Sequence, residues 1–244
     1  MSDVSDPRRP YLETTEQWAS FLSAFVHELR TPIASLKILG ELMQGSPALG
    51  GERERLFLEN MQKVVRDLLA LVGDAGELGR LIARKATVRS EAVDLGAIFE
   101  GVEETLRPRA WDSGIGLQVA LGPETADPIH TDRELLRRML TLLVGAAVQH
   151  ARSEVVVRAD VDGGRLSIVA ASDGSPLPDP AATALFQPFG DGQRSAREHG
   201  GGSLTLPLAN EVALALGGVL RAENRGKRPA FVLELPVRPS AGSG

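Results

Sequence analysis

Phe25-Val26-His27-Glu28-Leu29-Arg30-Thr31-Pro32 sets a histidine inside an apolar-periodic stretch, with a proline five residues beyond it. Proline in a helix interior withdraws one backbone donor, here from the carbonyl of Glu28, at a local cost of ~3 kcal/mol. Outward from this octapeptide, Trp18, Phe21, Leu22, Phe25, Leu29, Ile33, Leu36, Leu39 and Leu42 recur at three- and four-residue steps. That spacing predicts one long amphipathic helix from about Thr14 to Met43, ended by Pro47 and Gly50-Gly51. A second pattern through Leu56, Met61, Val64, Leu68, Leu71, Leu78 and Leu81 predicts a helix from about Glu52 to Ala83. Two helices and a short turn make an antiparallel hairpin. Apolar residues on more than one side of it are covered economically by pairing two copies into a four-helix bundle, so a homodimer through the hairpin is expected.

After Lys85 the texture changes. A polar linker leads to a short predicted helix from Leu95 to about Leu106, then to the strand-like Gly116–Leu121 and a helix from about Asp132 to His150. Glu154–Arg158 and Leu166–Ala170 are β-branched or alternating runs on either side of Gly163-Gly164, as in a hairpin. A further helix, Leu206 to Leu216, stops at Gly217-Gly218, and Val219–Arg221 and Phe231–Leu235 read as closing strands. The expected fold is therefore a helical hairpin at 14–86, forming a dimeric four-helix bundle, then an α+β sandwich of helices on a mixed sheet at 92–237. Residues 1–13 are expected as a flexible leader and 238–244 as a flexible tail.

The 244 residues supply enough apolar side chains for a sizeable core, and there is no cysteine for disulfides or thiolate metal sites. The net charge of −5, with signs interspersed, leaves no basic footprint for nucleic acid. No apolar run approaches the ~18 residues of a membrane span, and the polar Met1–Pro10 is unlike a signal peptide. A cytoplasmic setting without a membrane partner in this chain is expected; Met1 favours a native start, and a piece of a longer membrane receptor would read the same. His130, His150 and His199 lack metal-ligand spacing, so no metal site is expected.

His27-Glu28-Leu29-Arg30-Thr31-Pro32 resembles, without a departure, the phosphoacceptor box of the sensor histidine kinases of two-component systems. The order of elements that follows resembles that family's ATP-binding module, and the likeness covers roughly Thr14 to Val237. It implies a phosphorylated His27, a role for which imidazole suits: it titrates near neutrality and keeps one lone pair free for attack on phosphorus. It implies that Glu28 orients the ring and takes its proton, and that Thr31, one turn on, directs a water at a partner's acyl phosphate. Arg30 is a candidate contact for phosphate oxygens. The implied partner is the receiver domain of a response regulator.

The nucleotide module departs from the family pattern. Where the family has two asparagines that hold magnesium and phosphates, an ungapped alignment from Asp132 finds Leu142 and Ala146, and a shift of one finds Thr141 and Gly145. Magnesium requires oxygen ligands, and Thr141 offers one at best. The family's Asp-x-Gly-x-Gly turn becomes Asp173-Gly174-Ser175-Pro176-Leu177, which keeps Asp173 as the candidate adenine contact and loses both glycines. Leu185-Phe-Gln-Pro-Phe189 resembles the family's phenylalanine box, and residues 190–202 have the length of its lid. The second glycine-rich turn reads Gly201-Gly202-Ser203-Leu204-Thr205-Leu206, retaining Gly201 but two glycines short of a phosphate nest. The expectation is a retained fold with no cofactor, ATP and magnesium being bound only if the pocket is an atypical working one.

Three functions compete at this point. The first is a histidine phosphotransfer protein, or response-regulator phosphatase, that exchanges a phosphoryl group on His27 with receiver aspartates. The second is an ATP-dependent histidine kinase with an atypical pocket. The third is a non-enzymatic module that docks response regulators or kinases, a role that would not require the set His27, Glu28 and Thr31.

Overall fold

The computed structural model describes residues 14–45, 51–83, 88–177, 185–186 and 204–239. The leader 1–13, the lid 190–202 with Gly201, and the tail beyond 239 lie outside the described residues, as does most of the phenylalanine box. The chain divides into two compact units, one holding the helices up to Glu77 and the other running from Leu78 onward.

In the first unit, α1 (Thr15–Gly45) and α2 (Glu52–Ile82) are the two long helices that the three- and four-residue periodicity predicts. The α1 start is capped reciprocally: Thr14 Oγ1 accepts from the Gln17 amide at 3.2 Å, and Gln17 Oε1 accepts from the Thr14 amide at 2.9 Å. Helix α1 continues through Pro32. Trp18 meets Phe21 edge-on at 5.7 Å, Phe21 stacks on Phe25 at 6.0 Å, and Phe21 is buried. Leu22, Val26, Ile33, Ile38 and Leu42 on α1, and Leu56, Leu58, Val65, Leu69 and Val72 on α2, are by contrast exposed. That is more apolar surface than a helix pair leaves bare in water without reason.

The second unit is a two-layer α/β structure. Its main sheet has five strands in the order β2-β4-β5-β7-β6, formed by β2 (Gly116–Leu121), β4 (Glu154–Asp162), β5 (Arg165–Ser172), β6 (Val219–Arg225) and β7 (Arg228–Pro236). The β2–β4 pair is parallel and the others antiparallel, the mixed sheet expected. Gly163 and Gly164, both at positive φ (54° and 78°), form the two-residue turn between β4 and β5 that only permissive residues make cheaply. Period-two alternation sends Val155, Val157 and Ala159 of β4, Leu166, Ile168 and Ala170 of β5, and Phe231, Leu233 and Leu235 of β7 into the core.

The helices α3 (Leu95–Asp112), α4 (Arg133–His150) and α5 (Thr205–Ala215) cover that face. Leu136, Met139, Leu140 and Leu143 of α4, and Leu208 and Val212 of α5, are fully buried, each worth roughly 1.5–3 kcal/mol of apolar transfer. Asp132 caps α4, one carboxylate oxygen accepting from the Leu135 amide at 3.0 Å and the other from the Arg89 amide at 2.7 Å. Helix α3 runs further than the Leu106 expected, passing through Pro108 because Leu106 and Ala110 on either side are buried against the core. Three short strands that alternation does not mark, β1 (Glu91–Val93), β3 (Ile129–Thr131) and β8 (Arg238–Pro239), form a second sheet in the order β1-β3-β8. Arg238 and Pro239, at the start of the expected tail, are thus paired with β3, a difference from that expectation made by long-range backbone hydrogen bonds.

Candidate functional site

On α1, His27 presents an imidazole whose side chain is 73% exposed, with its Nδ1 3.8 Å from Glu28 Oε1. Adjacent helical residues diverge by about 100° around the axis, so this approach depends on the glutamate folding back toward the ring. The Glu28 side chain is one-fifth exposed, and at 3.8 Å its carboxylate lies near the ring but beyond hydrogen-bond distance. Thr31 and Arg30 are exposed, and Arg30 has no ion-pair partner among the described residues. Ser35 Oγ donates to the Thr31 carbonyl at 3.1 Å, one turn past the amide that Pro32 removes. His27, Arg30 and Thr31 are thus exposed at neighbouring positions of α1, with Glu28 part-buried beside His27.

In the second unit, α4 offers few oxygen donors at the positions in question. Leu142 and Ala146 are buried and apolar, a β-carbon at Gly145 would lie 3.6 Å from Leu106 Cδ2, and the Thr141 hydroxyl donates to the Arg137 carbonyl at 2.9 Å. Among the described residues no group of three His, Asp or Glu side chains is placed to hold a metal.

The loop leaving β5 is fastened at three points. The first is Asp173, whose carboxylate accepts from the amides of Arg152 (2.8 Å), Ser153 (3.0 Å) and Glu154 (3.2 Å) and from the Ser153 hydroxyl (2.6 Å). The Ser153 hydroxyl, then its amide and the neighbouring ones, hold this carboxyl well below the usual carboxylate range. The second is Gly174: a β-carbon there would lie 1.8 Å from the His150 carbonyl oxygen, so only glycine passes the end of α4. The third is Asn224 of β6, whose carboxamide accepts from the Leu177 amide at 2.9 Å and donates to the Leu177 carbonyl at 2.8 Å.

Asp173 reads in the sequence equally as a contact for a base and as a turn residue before glycine, and its carboxylate is turned to the 152–154 turn. The β5 residue on the helix-covered face at this end is Ser172, 2% exposed. Continuing the alternation Leu166, Ile168, Ala170 by one more step would have found it; nothing in the sequence marked Asn224.

Residues 17–84 match the His Kinase A (phospho-acceptor) domain. Residues 131–239 match the histidine kinase-, DNA gyrase B-, and HSP90-like ATPase domain. The sensor histidine kinase AruS of Pseudomonas aeruginosa is 31% identical over 92% of this chain and 23% of its own length. The sensor protein TorS of Escherichia coli is 26% identical over 90% of this chain and 24% of its own length. The chain thus spans about a quarter of the length of these two curated relatives. Among solved structures, the histidine kinase AdeS of Acinetobacter baumannii superposes with a TM-score of 0.71 at 20% identity, covering 86% of this chain and 97% of that one. Full-length ShkA in complex with AMPPNP superposes at 0.66 with 25% identity, covering 91% of this chain and 46% of that one. A histidine-bearing helical pair followed by an ATPase-type sandwich defines a class, the histidine kinases. The chain belongs to the sensor histidine kinase family of two-component systems. None of its described helices is long and apolar enough to cross a membrane.

Proposed function

We propose that this chain carries a phosphoryl group on His27 and exchanges it with the aspartate of a response-regulator receiver domain, the group coming from a partner rather than from ATP held on its own chain. The observation that carries the reading is the pairing of an exposed His27 with Glu28 at 3.8 Å on an open helix face. In the forward step Nε2 attacks the phosphorus of an aspartyl phosphate, the N–P bond forms, the acyl P–O bond breaks, and the carboxylate leaves with the electron pair. The charge that develops on the ring is offset at Nδ1 by Glu28. The reverse step regenerates the aspartyl phosphate, and Thr31 directs water in the hydrolytic branch. Arg30 meets the phosphoryl oxygens.

The α4 donor set supports the absence of a magnesium-held triphosphate, because Leu142, Ala146 and a Thr141 bonded to its own helix do not suit an octahedral oxygen-ligated ion. Asp173, engaged at the 152–154 turn, acts as a structural clamp, and Gly201 is the remaining candidate of the phosphate turn. The hairpin 14–86 dimerises through the exposed apolar residues of α1 and α2, and the chain works in the cytoplasm. Receiver domain phosphorylated with labelled acetyl phosphate tests the reading: label should appear on the wild type, or leave the receiver, and neither should happen with His27→Ala. Unchanged receiver label in the presence of wild type would overturn it.

A second reading, an ATP-dependent histidine kinase with an atypical pocket, is favoured by the ATPase-domain match over 131–239 and by the likeness to ShkA, whose structure contains AMPPNP. Acid-labile label on His27 after incubation with labelled ATP and magnesium alone would establish it over the first.

A further inference from the structure

The five-stranded sheet ends on two unlike edges. One edge, β6, carries Arg221, Glu223 and Arg225, charged side chains of the kind that keep an exposed strand from pairing with another chain. The other, β2, reads Gly-Leu-Gln-Val-Ala-Leu over 116–121, with no charge and no proline, and among the described residues it pairs only with β4. Gly116 and Gly122 donate to the Ser153 and Ala159 carbonyls, both at 2.8 Å. By the period of two in the ladder, the amides and carbonyls of Leu117, Val119 and Leu121 point away from β4, to the open side of the sheet. Apolar surface lies bare alongside. Trp111, at the end of α3, is 83% exposed, and Leu121 is 40% exposed. Trp111 lines a surface cavity with Glu103, Arg107, Ile115 and Leu117. Glu103 and Arg107 are four residues apart on α3, yet neither has an ion-pair partner among the described residues.

We infer that the β2 edge is a docking surface for a second copy of this chain, whose own β2 adds antiparallel about a two-fold axis at Val119. The strand is self-complementary in that register: Leu117 falls opposite Leu121 of the second copy and Val119 opposite its counterpart, so apolar meets apolar at every pair. Trp111, in the cavity beside Leu117, then covers Leu121 of the second copy, and the two bare side chains are buried together. An axis that reverses the strands also reverses the helices beside them. It turns Glu103 of one copy toward Arg107 of the other, the opposite charge that each lacks within its own chain. Six residues of strand and an indole from each copy make a small interface, short of the ~1,600 Å² of a stable pair. The edge therefore joins molecules at high concentration rather than holding the basic dimer. Together with the hairpin it gives each chain two isologous interfaces, so association continues beyond two copies.

Sedimentation of the full chain from about 10 μM to about 500 μM reads this association. The mass of the wild type should rise toward twice its dilute value. Val119→Pro withdraws an amide that points away from β4, so it leaves the β2–β4 bonds in place and should hold the mass at the dilute value. Trp111→Ala should weaken the association about tenfold. Glu103→Arg and Arg107→Glu should each weaken it about threefold, and the two changes together should restore it. Val26→Glu with Leu69→Glu should halve the dilute mass yet leave the doubling, which separates this edge from the hairpin. The inference is overturned by a wild-type mass independent of concentration, which would leave the edge to a strand of another protein. It is overturned equally by a folded Val119→Pro whose mass rises as the wild type's does. If Val119→Pro fails to fold, Trp111→Ala decides, and association at the wild-type strength in that variant rejects the docking surface.

Discussion

The carboxylate of Asp173 accepts hydrogen bonds from both the amide and the hydroxyl of Ser153, across twenty residues of chain, and so fastens the exit of β5 to the start of β4. Because the folded state favours its ionised form, the sign of its pH dependence follows. Its stabilisation is present in full above the unfolded value of ~3.9 and is lost as pH falls below it. Asp173→Asn should unfold more easily than the parent at neutral pH by about 1–3 kcal/mol. That gap should narrow as the pH is lowered from about 4 toward about 2. Urea titrations across pH measure it, and a gap independent of pH would refute the assignment.

Asn224 holds Leu177 by both its backbone groups, half-buried from water. Asn224→Ala leaves an amide and a carbonyl without partners, which should lower stability by about 1–3 kcal/mol. Asn224→Asp can still accept from the amide and should lose less. Equal losses in the two variants, read by thermal unfolding, would show that the contact is not bidentate in solution.

Gly174→Ala places a methyl group on the His150 carbonyl, a backbone atom that cannot give way cheaply. The loss should exceed the ~1–3 kcal/mol typical of overpacking. Gly114→Ala provides a contrast, since open space surrounds it and only its positive φ of 68° opposes the change. Chemical denaturation of both variants should find the larger loss at Gly174.

Removing the Glu28 carboxylate as Glu28→Gln keeps the shape of the site and withdraws the charge beside Nδ1. Phosphoryl exchange with a labelled receiver should slow by about 10²–10⁴-fold, the range of general acid–base contributions. Transfer at the wild-type rate would mean that the 3.8 Å approach has no chemical role.

If the bare apolar residues of α1 and α2 meet a second copy, Val26→Glu with Leu69→Glu should convert the dimer to a monomer without loss of helical signal. Sedimentation of the wild type at half the mass of a dimer would argue against the pairing from the outset.

Much of this architecture was legible in the chain. The three- and four-residue periodicity around His27 and beyond Glu52 determined α1 and α2, because a long amphipathic pattern depends only on local spacing. The alternation in 154–159 and 166–170 and the Gly163-Gly164 turn determined the β4–β5 hairpin in the same way. Caps such as Asp132 marked where α4 starts. The small sheet of β1, β3 and β8 could not be foreseen, because strands of two or three residues carry too little pattern and exist only through partners far along the chain.

The sequence by itself made His27 and Glu28 neighbours on α1, whereas their 3.8 Å approach depends on how the glutamate side chain folds back toward the ring. The role of Asp173 was decided by the fold. An aspartate before a glycine reads equally as a ligand contact or a turn residue until the 152–154 amides are brought beneath it, and that meeting is made by the β4–β5 register. The same register sends Ser172 inward, because side chains in a strand alternate and the last inward position of β5 falls one residue before the acid.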